Sequence, residues 1–153
     1  MGSVQMARRL QAIRPFEVMR ILSRARELEA SRDIIHMEIG EPDFPLAEPV
    51  REAVEAALRS HPLGYAPSAG LPRLRAAIAA RYAELGADVP VERILITPGG
   101  SGALMLALAL LADPGDRVVL PDPGYPCNRH FVHHLGAHPV AVPVEPEAGY
   151  HLR

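Results

Sequence analysis

The 153-residue sequence predicts an α/β fold in which strands and helices alternate along a parallel sheet. A β-branched run at 93–97 is followed by a glycine-rich turn and a strongly apolar, helix-forming run at 101–112. Two further short apolar runs, at 117–121 and 139–144, flank a helical segment at 127–135. This order is typical of a β-α-β-α-β unit with right-handed crossovers.

Helical periodicity dominates the first half of the chain. Apolar residues recur at helical spacing in three segments, which predicts helices at 16–28, 48–60 and 71–85. The arginine-rich segment 6–13 is expected to form either a short amphipathic helix or a mobile arm. The apolar residues of 34–39 predict a short strand.

Three loops between these elements are rich in proline and glycine. Residues 40–45 contain two prolines and a glycine, which predicts a fixed, irregular loop. Residues 61–70 form a long extended loop, and loops of this length in compact chains are often functional. The prolines of 121–126 predict a third, rigid loop directly after a strand.

The segment from residue 93 to residue 112 predicts a strand, a tight glycine turn and a buried helix. Gly99, Gly100 and Gly102 allow a ligand to approach the backbone closely. The first N–H groups and the positive dipole end of the following helix favour an anion. We therefore predict a phosphate site here, to which Ser101 adds a hydroxyl; the alternative is a turn that only joins strand to helix.

Nucleotide-binding motifs do not fit this turn. A Walker loop requires a lysine after its last glycine, and none follows Gly102. The dinucleotide pattern, started at Gly100, requires a third glycine where Met105 stands. Ligands of parallel sheets bind outside the carboxyl ends of the strands, so 99–102 and 122–126 are expected to line one pocket.

Composition excludes several classes of function. The net charge of −2 argues against a nucleic-acid partner, and no apolar run reaches membrane-spanning length. The N-terminal residues do not lead into a signal-peptide apolar region, and the single cysteine is typical of a reducing compartment, so a cytoplasmic location is expected. All 16 residues of the Lys and Arg count are arginine, so this chain cannot supply a lysine amine.

Histidine and cysteine are the other potentially reactive side chains outside the glycine turn. His130 and His134 are one helical turn apart, but no glutamate or cysteine lies between them, and no metal site is predicted. A solvated, partly polar helix face is the preferred interpretation. Cys127 follows a proline near the expected pocket, but no base accompanies it, which argues against a nucleophile.

Five short motifs together resemble one family. In the order of the chain they are residues 39–44 (Ile-Gly-Glu-Pro-Asp-Phe), 64–75 (Gly-Tyr-Ala-Pro-Ser-Ala-Gly-Leu-Pro-Arg-Leu-Arg), 97–104 (Thr-Pro-Gly-Gly-Ser-Gly-Ala-Leu), 113–116 (Asp-Pro-Gly-Asp) and 121–126 (Pro-Asp-Pro-Gly-Tyr-Pro). They closely resemble the N-terminal part of the class I/II aminotransferases, pyridoxal-phosphate enzymes of fold type I. The resemblance covers roughly residues 34–144 and implies homodimeric enzymes of amino-acid metabolism.

The resemblance implies a role for the glycine turn and for the loop after the next strand. Gly100, Ser101 and Gly102 match the turn whose backbone and hydroxyl hold the phosphate of pyridoxal 5'-phosphate. Tyr125 matches the aromatic residue that stacks on the pyridine ring, although a tyrosine in a proline-rich loop is more commonly a packing anchor.

The resemblance also implies two roles in the N-terminal half. Tyr65 matches the tyrosine that reaches the cofactor phosphate of the neighbouring subunit, which predicts a homodimer with a shared site. Gly40 matches the residue whose backbone meets the substrate carboxylate, although it is equally interpretable as a turn glycine.

The family's fold divides the chain at one point. Residues 1–46 are expected to be an N-terminal arm, a helix and part of the small domain, and residues 47–153 the first, incomplete part of the large cofactor-binding domain. The sequence is similar to roughly the first two-fifths of an aminotransferase.

One departure from the family pattern is decisive for activity. The family requires a lysine that forms a Schiff base with the cofactor, an aspartate paired with the pyridine nitrogen and an arginine for the substrate carboxylate. All three lie beyond position 153 in the family, and this chain has no lysine. We expect an aminotransferase acting on an amino acid and a 2-oxo acid, with the 153-residue chain alone inactive. The alternatives are a related pyridoxal-phosphate lyase, or a truncated module that only binds cofactor or dimerises.

Overall fold

A computed structural model describes residues 5–60 and 64–152. Within these ranges the chain forms α1 (Glu17–Glu29), α2 (Glu48–Ser60), α3 (Pro72–Glu84), α4 (Gly99–Leu111), β1 (Arg117–Asp122), α5 (Pro126–His134) and β2 (His138–Pro143). Short 3₁₀ helices lie at Arg8–Ala12, Val91–Arg93 and Pro146–Ala148. The five predicted helices are confirmed, and each of their ends lies within two residues of its predicted position. The arginine-rich segment contains a 3₁₀ helix.

The chain divides into two compact units, Met1–Ile39 with Gly99–Arg153, and Gly40–Pro98. Each unit is held together by contacts among its own residues. The family-based domain boundary after residue 46 stays a prediction.

The core of the first unit lies in the β1–α5–β2 crossover. β1 and β2 are parallel and pair in register from Arg117 opposite His138 to Asp122 opposite Pro143, which confirms the two later strands of the prediction. Three side chains in or directly after this crossover are buried, with exposed fractions of 0% for Val132, 2% for Ala137 and 6% for Val144.

A turn at residues 113–116 closes one end of this crossover. The Gly115 N–H donates to the Gly136 carbonyl over 3.0 Å, and the Asp113 N–H donates to the Asp116 carboxylate over 2.8 Å. Gly136 ends α5 with a φ of +80°, and a Cβ there would lie 3.4 Å from Pro114. The turn therefore fixes where β1 begins relative to the end of α5.

Helix α4 was predicted to be buried, and that prediction is wrong for the described residues. Most of its leucines are exposed, with fractions of 84% for Leu110, 79% for Leu111 and 54% for Leu106, and none is buried. The physical reason is that α4 packs against α5 alone among the described elements, so no other helix or strand of residues 5–60 and 64–152 covers its remaining sides.

The strand predicted at 93–97 is absent from the described residues, where no ladder partner pairs with it. The segment is held by other contacts of the second unit. Arg75 on α3 donates from Nε to the Ile94 carbonyl over 2.8 Å and from Nη2 to the Val91 carbonyl over 2.6 Å. The Ile96 N–H donates to the Ala69 carbonyl over 3.1 Å. A β-branched run favours extended backbone, but a strand also requires a paired neighbour.

Gly70 lies in close contact with the same segment. Its φ is +96°, and a Cβ would lie 2.3 Å from Ile96 Cγ1, so this position requires glycine. The contact joins the end of the loop before α3 to the segment that follows Val91–Arg93.

The strand predicted at 34–39 is likewise absent from the described residues. Instead, the His36 ring lies between two carboxylates, with Nδ1 2.6 Å from Glu38 Oε1 and Nε2 2.8 Å from Glu29 Oε1. The hydrogen bonds to Glu38 and then Glu29 raise the pKa of His36, and the bond to His36 lowers the pKa of Glu38. Side-chain ion pairs thus replace backbone pairing in holding this segment.

No helix in 5–60 or 64–152 has the length and apolar character needed to cross a membrane.

Candidate functional site

The predicted glycine turn forms the first turn of α4. The helix begins at Gly99, whose φ of +71° is in the left-handed region that glycine favours. Gly100, Ser101 and Gly102 therefore belong to the helical turn whose N–H groups lack intrahelical acceptors. No atom lies within 4 Å of a Cβ built at Gly100, so the space over this backbone is open. The turn has the electrostatics of an anion site at a helix of 13 residues.

Tyr125 lies in the loop between β1 and α5, at the carboxyl end of β1. It is the N-cap residue of α5 and its side chain is 55% exposed. A hydrogen bond with the Cys127 thiol raises the pKa of the Tyr125 phenol. The preceding Gly124 has no room for a side chain, because a Cβ would lie 2.5 Å from the Pro121 carbonyl oxygen. The loop therefore presents the Tyr125 ring on a tightly constrained backbone.

Phe16 contacts Tyr125 from the N-terminal segment of the same unit. The ring centroids are 6.1 Å apart and the planes are inclined at 81°, an edge-to-face arrangement.

Two cavities adjoin this loop. One of about 360 Å³ is lined by residues of 14–18 and of 122–130, and one of about 10 Å³ lies beside Tyr125 and Asn128. Neither is lined by a residue of the glycine turn, so these cavities do not confirm the expected common pocket. The Asn128 Oδ1 atom is buried without a hydrogen-bond partner in the described part of the chain.

The histidines of α5 and β2 remain without metal-binding geometry. No group of three or more His, Cys, Asp or Glu side chains in the described ranges is arranged to hold a metal ion. Burial, followed by the charges of His130 and His138, lowers the pKa of His133. The neutral form of His133 is therefore favoured, as expected for a helix face that is partly packed against the rest of the protein.

Gly40 and Tyr65 lie in the second unit. The Tyr65 side chain is fully exposed, at 108% of its reference area. Gly40 is exposed, and a Cβ built there would meet no atom within 4 Å. Gly100, Ser101, Gly102 and Tyr125 lie together in the first unit.

A family model described as aminotransferase class I and II matches residues 32–153. The chain belongs to this family. The resemblance of its loop motifs is thereby confirmed, as is the α/β fragment of fold type I that the motifs imply.

Relatives of the chain agree with it in sequence and in fold. The valine–pyruvate aminotransferase of Mycobacterium tuberculosis is 39% identical over 138 residues, which are 89% of this chain and 36% of the relative. The (5-formylfuran-3-yl)methyl phosphate transaminase of Methanocaldococcus jannaschii is 39% identical over 137 residues, 88% of this chain and 37% of the relative. A crystal structure of an aminotransferase from Mycobacterium tuberculosis has a TM-score of 0.92 at 37% identity, covering 98% of this chain and 39% of that chain. The chain thus spans well under half the length of these relatives.

Two residues near Tyr125 lie outside the roles that the loop motifs imply. Phe16 precedes the region of resemblance, and its only sequence signal is a proline–aromatic pair before a helix. Asn128 lies in the first turn of α5, where an asparagine would ordinarily be attributed to helix capping.

Proposed function

We propose that the protein is a pyridoxal-phosphate-dependent aminotransferase that moves an amino group from an amino acid to a 2-oxo acid. In this proposal the chain supplies the phosphate- and ring-binding part of the site. The observation that carries it is that one compact unit contains both an open glycine turn at the start of α4 and an exposed Tyr125 at the end of β1. Membership of a family whose relatives are named aminotransferases supports the reaction type.

The residues at the start of α4 fit a phosphate. Gly100 leaves its backbone open, the Ser101 side chain is exposed, and the helix behind them is long enough to present a dipole. The described residues of this turn, 99–102, contain no carboxylate that would repel an anion. Backbone N–H groups and the Ser101 hydroxyl would donate to the phosphate oxygens.

Tyr125 fits a flat aromatic ring. Its side chain is more than half exposed, while the loop beneath it is fixed by the tight Gly124 contact. A phenol ring with one face free can stack on a pyridine ring in an offset arrangement.

Tyr65 and Gly40 are proposed to act where a second subunit and a substrate meet the site. The complete exposure of Tyr65 supports donation of its ring to the cofactor phosphate of a partner subunit in a homodimer. The open backbone of Gly40 supports contact with a substrate carboxylate. A cytoplasmic role in amino-acid metabolism completes the proposal.

In this proposal the residues of this chain bind and orient the cofactor, and proton transfer is carried out by another part of the protein. Pyridoxal phosphate, when bound, supplies an electron-withdrawing ring that stabilises negative charge at the substrate α-carbon. The chain lacks the lysine amine that bonds to the cofactor and moves the proton. We assign that role to a lysine outside residues 1–153, and we assign no catalytic residue within them.

The proposal names the substrates only as an amino acid and a 2-oxo acid. Relatives at the same 39% identity carry names with unrelated substrates, one valine and pyruvate, the other a furan phosphate. The absence of lysine favours the second candidate for the 153 residues alone, a module that binds cofactor or dimerises without catalysis.

Borohydride trapping tests the proposal on the protein as its source makes it. After reduction with pyridoxal phosphate present, mass spectrometry is expected to find the pyridoxyl group on a lysine outside residues 1–153. Addition of amino acids before reduction should convert the bound aldehyde to the amine form, seen as a shift in the cofactor absorbance. A protein that retains no cofactor, or an adduct within residues 1–153, contradicts the proposal.

A matched pair of serine variants tests the phosphate site. Ser101→Ala should weaken pyridoxal-phosphate affinity about ten-fold or more, because it removes a hydrogen bond to a charged group. Ser31→Ala is the control, since the Ser31 hydroxyl donates only to the Leu28 carbonyl at the end of α1. Equal affinity of the two variants would refute the assigned role of Ser101.

A further inference from the structure

We infer that Phe16 is a positioning residue for Tyr125, so that the segment before α1 sets the orientation of the ring-binding surface. The inference rests on the proposed function, in which Tyr125 stacks on the cofactor. It adds a residue outside the motifs that carry the family resemblance.

The geometry of the two rings supports a directed contact. A centroid distance of 6.1 Å and an interplanar angle of 81° match the edge-to-face arrangement that aromatic pairs prefer. Phe16 is half-buried whereas Tyr125 is 55% exposed, so the contact restrains one side of the tyrosine and leaves the rest of its ring accessible.

The backbone of Phe16 is fixed at the start of a helix. It is the N-cap residue of α1, and its carbonyl accepts a hydrogen bond from the Met19 N–H over 3.0 Å. Pro15 precedes it and restricts the chain. The 3₁₀ helix Arg8–Ala12 packs against α5, which anchors the incoming segment to the helix that Tyr125 caps.

The backbone of Tyr125 is fixed in the same way. The Tyr125 carbonyl accepts from the Asn128 N–H over 3.2 Å, and prolines flank the short loop on both sides. The remaining freedom is therefore mainly rotation of the tyrosine side chain, whose hydroxyl is also hydrogen-bonded to the Cys127 thiol. Contact with the Phe16 ring restricts that rotation before a ligand arrives, which lowers the ordering cost of stacking.

The expected effect follows from the strength of one aromatic pair. Loss of the Phe16 ring should raise the dissociation rate of pyridoxal phosphate about two- to ten-fold.

The experiment compares four variants of the protein as its source makes it. Phe16→Leu removes the ring, Phe16→Tyr retains it, and Tyr125→Leu removes the proposed stacking surface. Phe44→Leu is the matched control, because Phe44 is 75% exposed and belongs to the other compact unit. The measurements are the cofactor dissociation rate, the induced circular dichroism of the bound cofactor, and the nuclear Overhauser contact between Phe16 and Tyr125 rings in cofactor-free protein.

Support requires faster dissociation and a changed dichroism band in Phe16→Leu, recovery in Phe16→Tyr, no change in Phe44→Leu, and a visible ring contact in the free protein. Unchanged dissociation in Phe16→Leu, or equal losses in Phe16→Leu and Phe16→Tyr, overturns the inference. Absence of the ring contact in free protein also overturns it. If Tyr125→Leu leaves the cofactor signal unchanged, the stacking role in the proposed function fails instead.

Discussion

Helices α4 and α5 belong to the same compact unit, yet they bury their residues in opposite ways. α4 consists of alanine, leucine and methionine after its glycine turn and has no buried residue. α5 carries three histidines, an arginine and an asparagine, yet it contains Val132, which is completely buried. α5 packs against α4, both strands and the 3₁₀ helix Arg8–Ala12, whereas α4 packs against α5 alone among the described elements. Burial therefore depends on what lies opposite a helix, and not on its hydropathy.

The largest effect is expected from placing a charge at the buried position. Val132→Asp puts a carboxylate where the side chain is 0% exposed, and should cost at least about 4 kcal/mol of unfolding free energy. A loss of this size is comparable to the whole stability of a small domain, so soluble yield and thermal unfolding should both fall sharply.

The same substitution on α4 supplies the control. Leu110→Asp changes a side chain that is 84% exposed, and the unfolding free energy should stay within about 0.5 kcal/mol of the parent chain. Similar losses in the two variants would mean that Leu110 is covered, and the contrast between the two helices would be wrong.

A second test concerns the other unit, where Gly70 packs closely against the segment after Val91–Arg93. Gly70→Ala should cost about 2–3 kcal/mol, because the new Cβ would collide with Ile96 and the φ of +96° disfavours a side chain. Gly86→Ala is the matched control. Its φ of +82° imposes similar backbone strain without any atom within 4 Å, so about 1 kcal/mol is expected. Chemical denaturation of both variants measures the difference, and equal losses would show that packing on Ile96 contributes nothing.

Arg75 should matter less, because hydrogen bonds rather than a buried side chain are removed. Arg75→Met removes the Nε donor of the Ile94 carbonyl and the Nη2 donor of the Val91 carbonyl, which keeps its bond from the Ile94 N–H, and should cost about 1–2 kcal/mol. Arg75→Lys keeps a charge but cannot reproduce two donors in a fixed fork, so an intermediate loss is expected. Denaturation midpoints measure which of the two variants is less stable. If Arg75→Lys is less stable than Arg75→Met, this explanation is contradicted.

The smallest effect is expected at His36, because its ring and the Glu29 carboxylate are both more than a third exposed, although Glu38 is only 10% exposed. Its raised pKa means that its contribution is complete below the ordinary value of 6.5 and is lost as pH rises through the raised value. The lowered pKa of Glu38 means that its contribution is present above 4.5 and is lost as pH falls through the lowered value. The stability difference between the parent chain and His36→Gln should therefore be greatest between about pH 4.5 and 6.5. Thermal midpoints across pH measure it, and a difference independent of pH would exclude an ionic contribution.

The helices were predictable because their evidence is local. Recurrence of apolar residues every three or four positions is contained within each segment, so α2 was located to the residue and the others nearly so. β1 and β2 were also predictable, since a strand–helix–strand order with short turns favours a parallel crossover.

Strands and burial were harder to predict because both depend on partners distant in sequence. Residues 34–39 and 93–97 have strand-like composition, but side-chain contacts from Glu29 and Arg75 hold them in the described chain. The exposure of α4 was missed for the same reason, since hydropathy contains no information on what lies opposite.

The candidate site was predictable only where a loop motif carried the signal. The glycine turn and Tyr125 stand out by residue type and position, and their roles stay predictions. Phe16 was not visible, because its contact with Tyr125 joins segments more than a hundred residues apart and no local pattern marks it.

The parallel register of β1 and β2 also determines how the chain resists mechanical force. Tension applied before Arg117 and after Pro143 would pull the two strands in opposite directions along their length. All the rungs from Arg117 opposite His138 to Asp122 opposite Pro143 would then bear load together in shear, instead of opening one at a time. When force is applied across the crossover, this ladder is expected to resist unfolding most strongly. Helix α4, which packs only against α5 among the described elements, is expected to detach first.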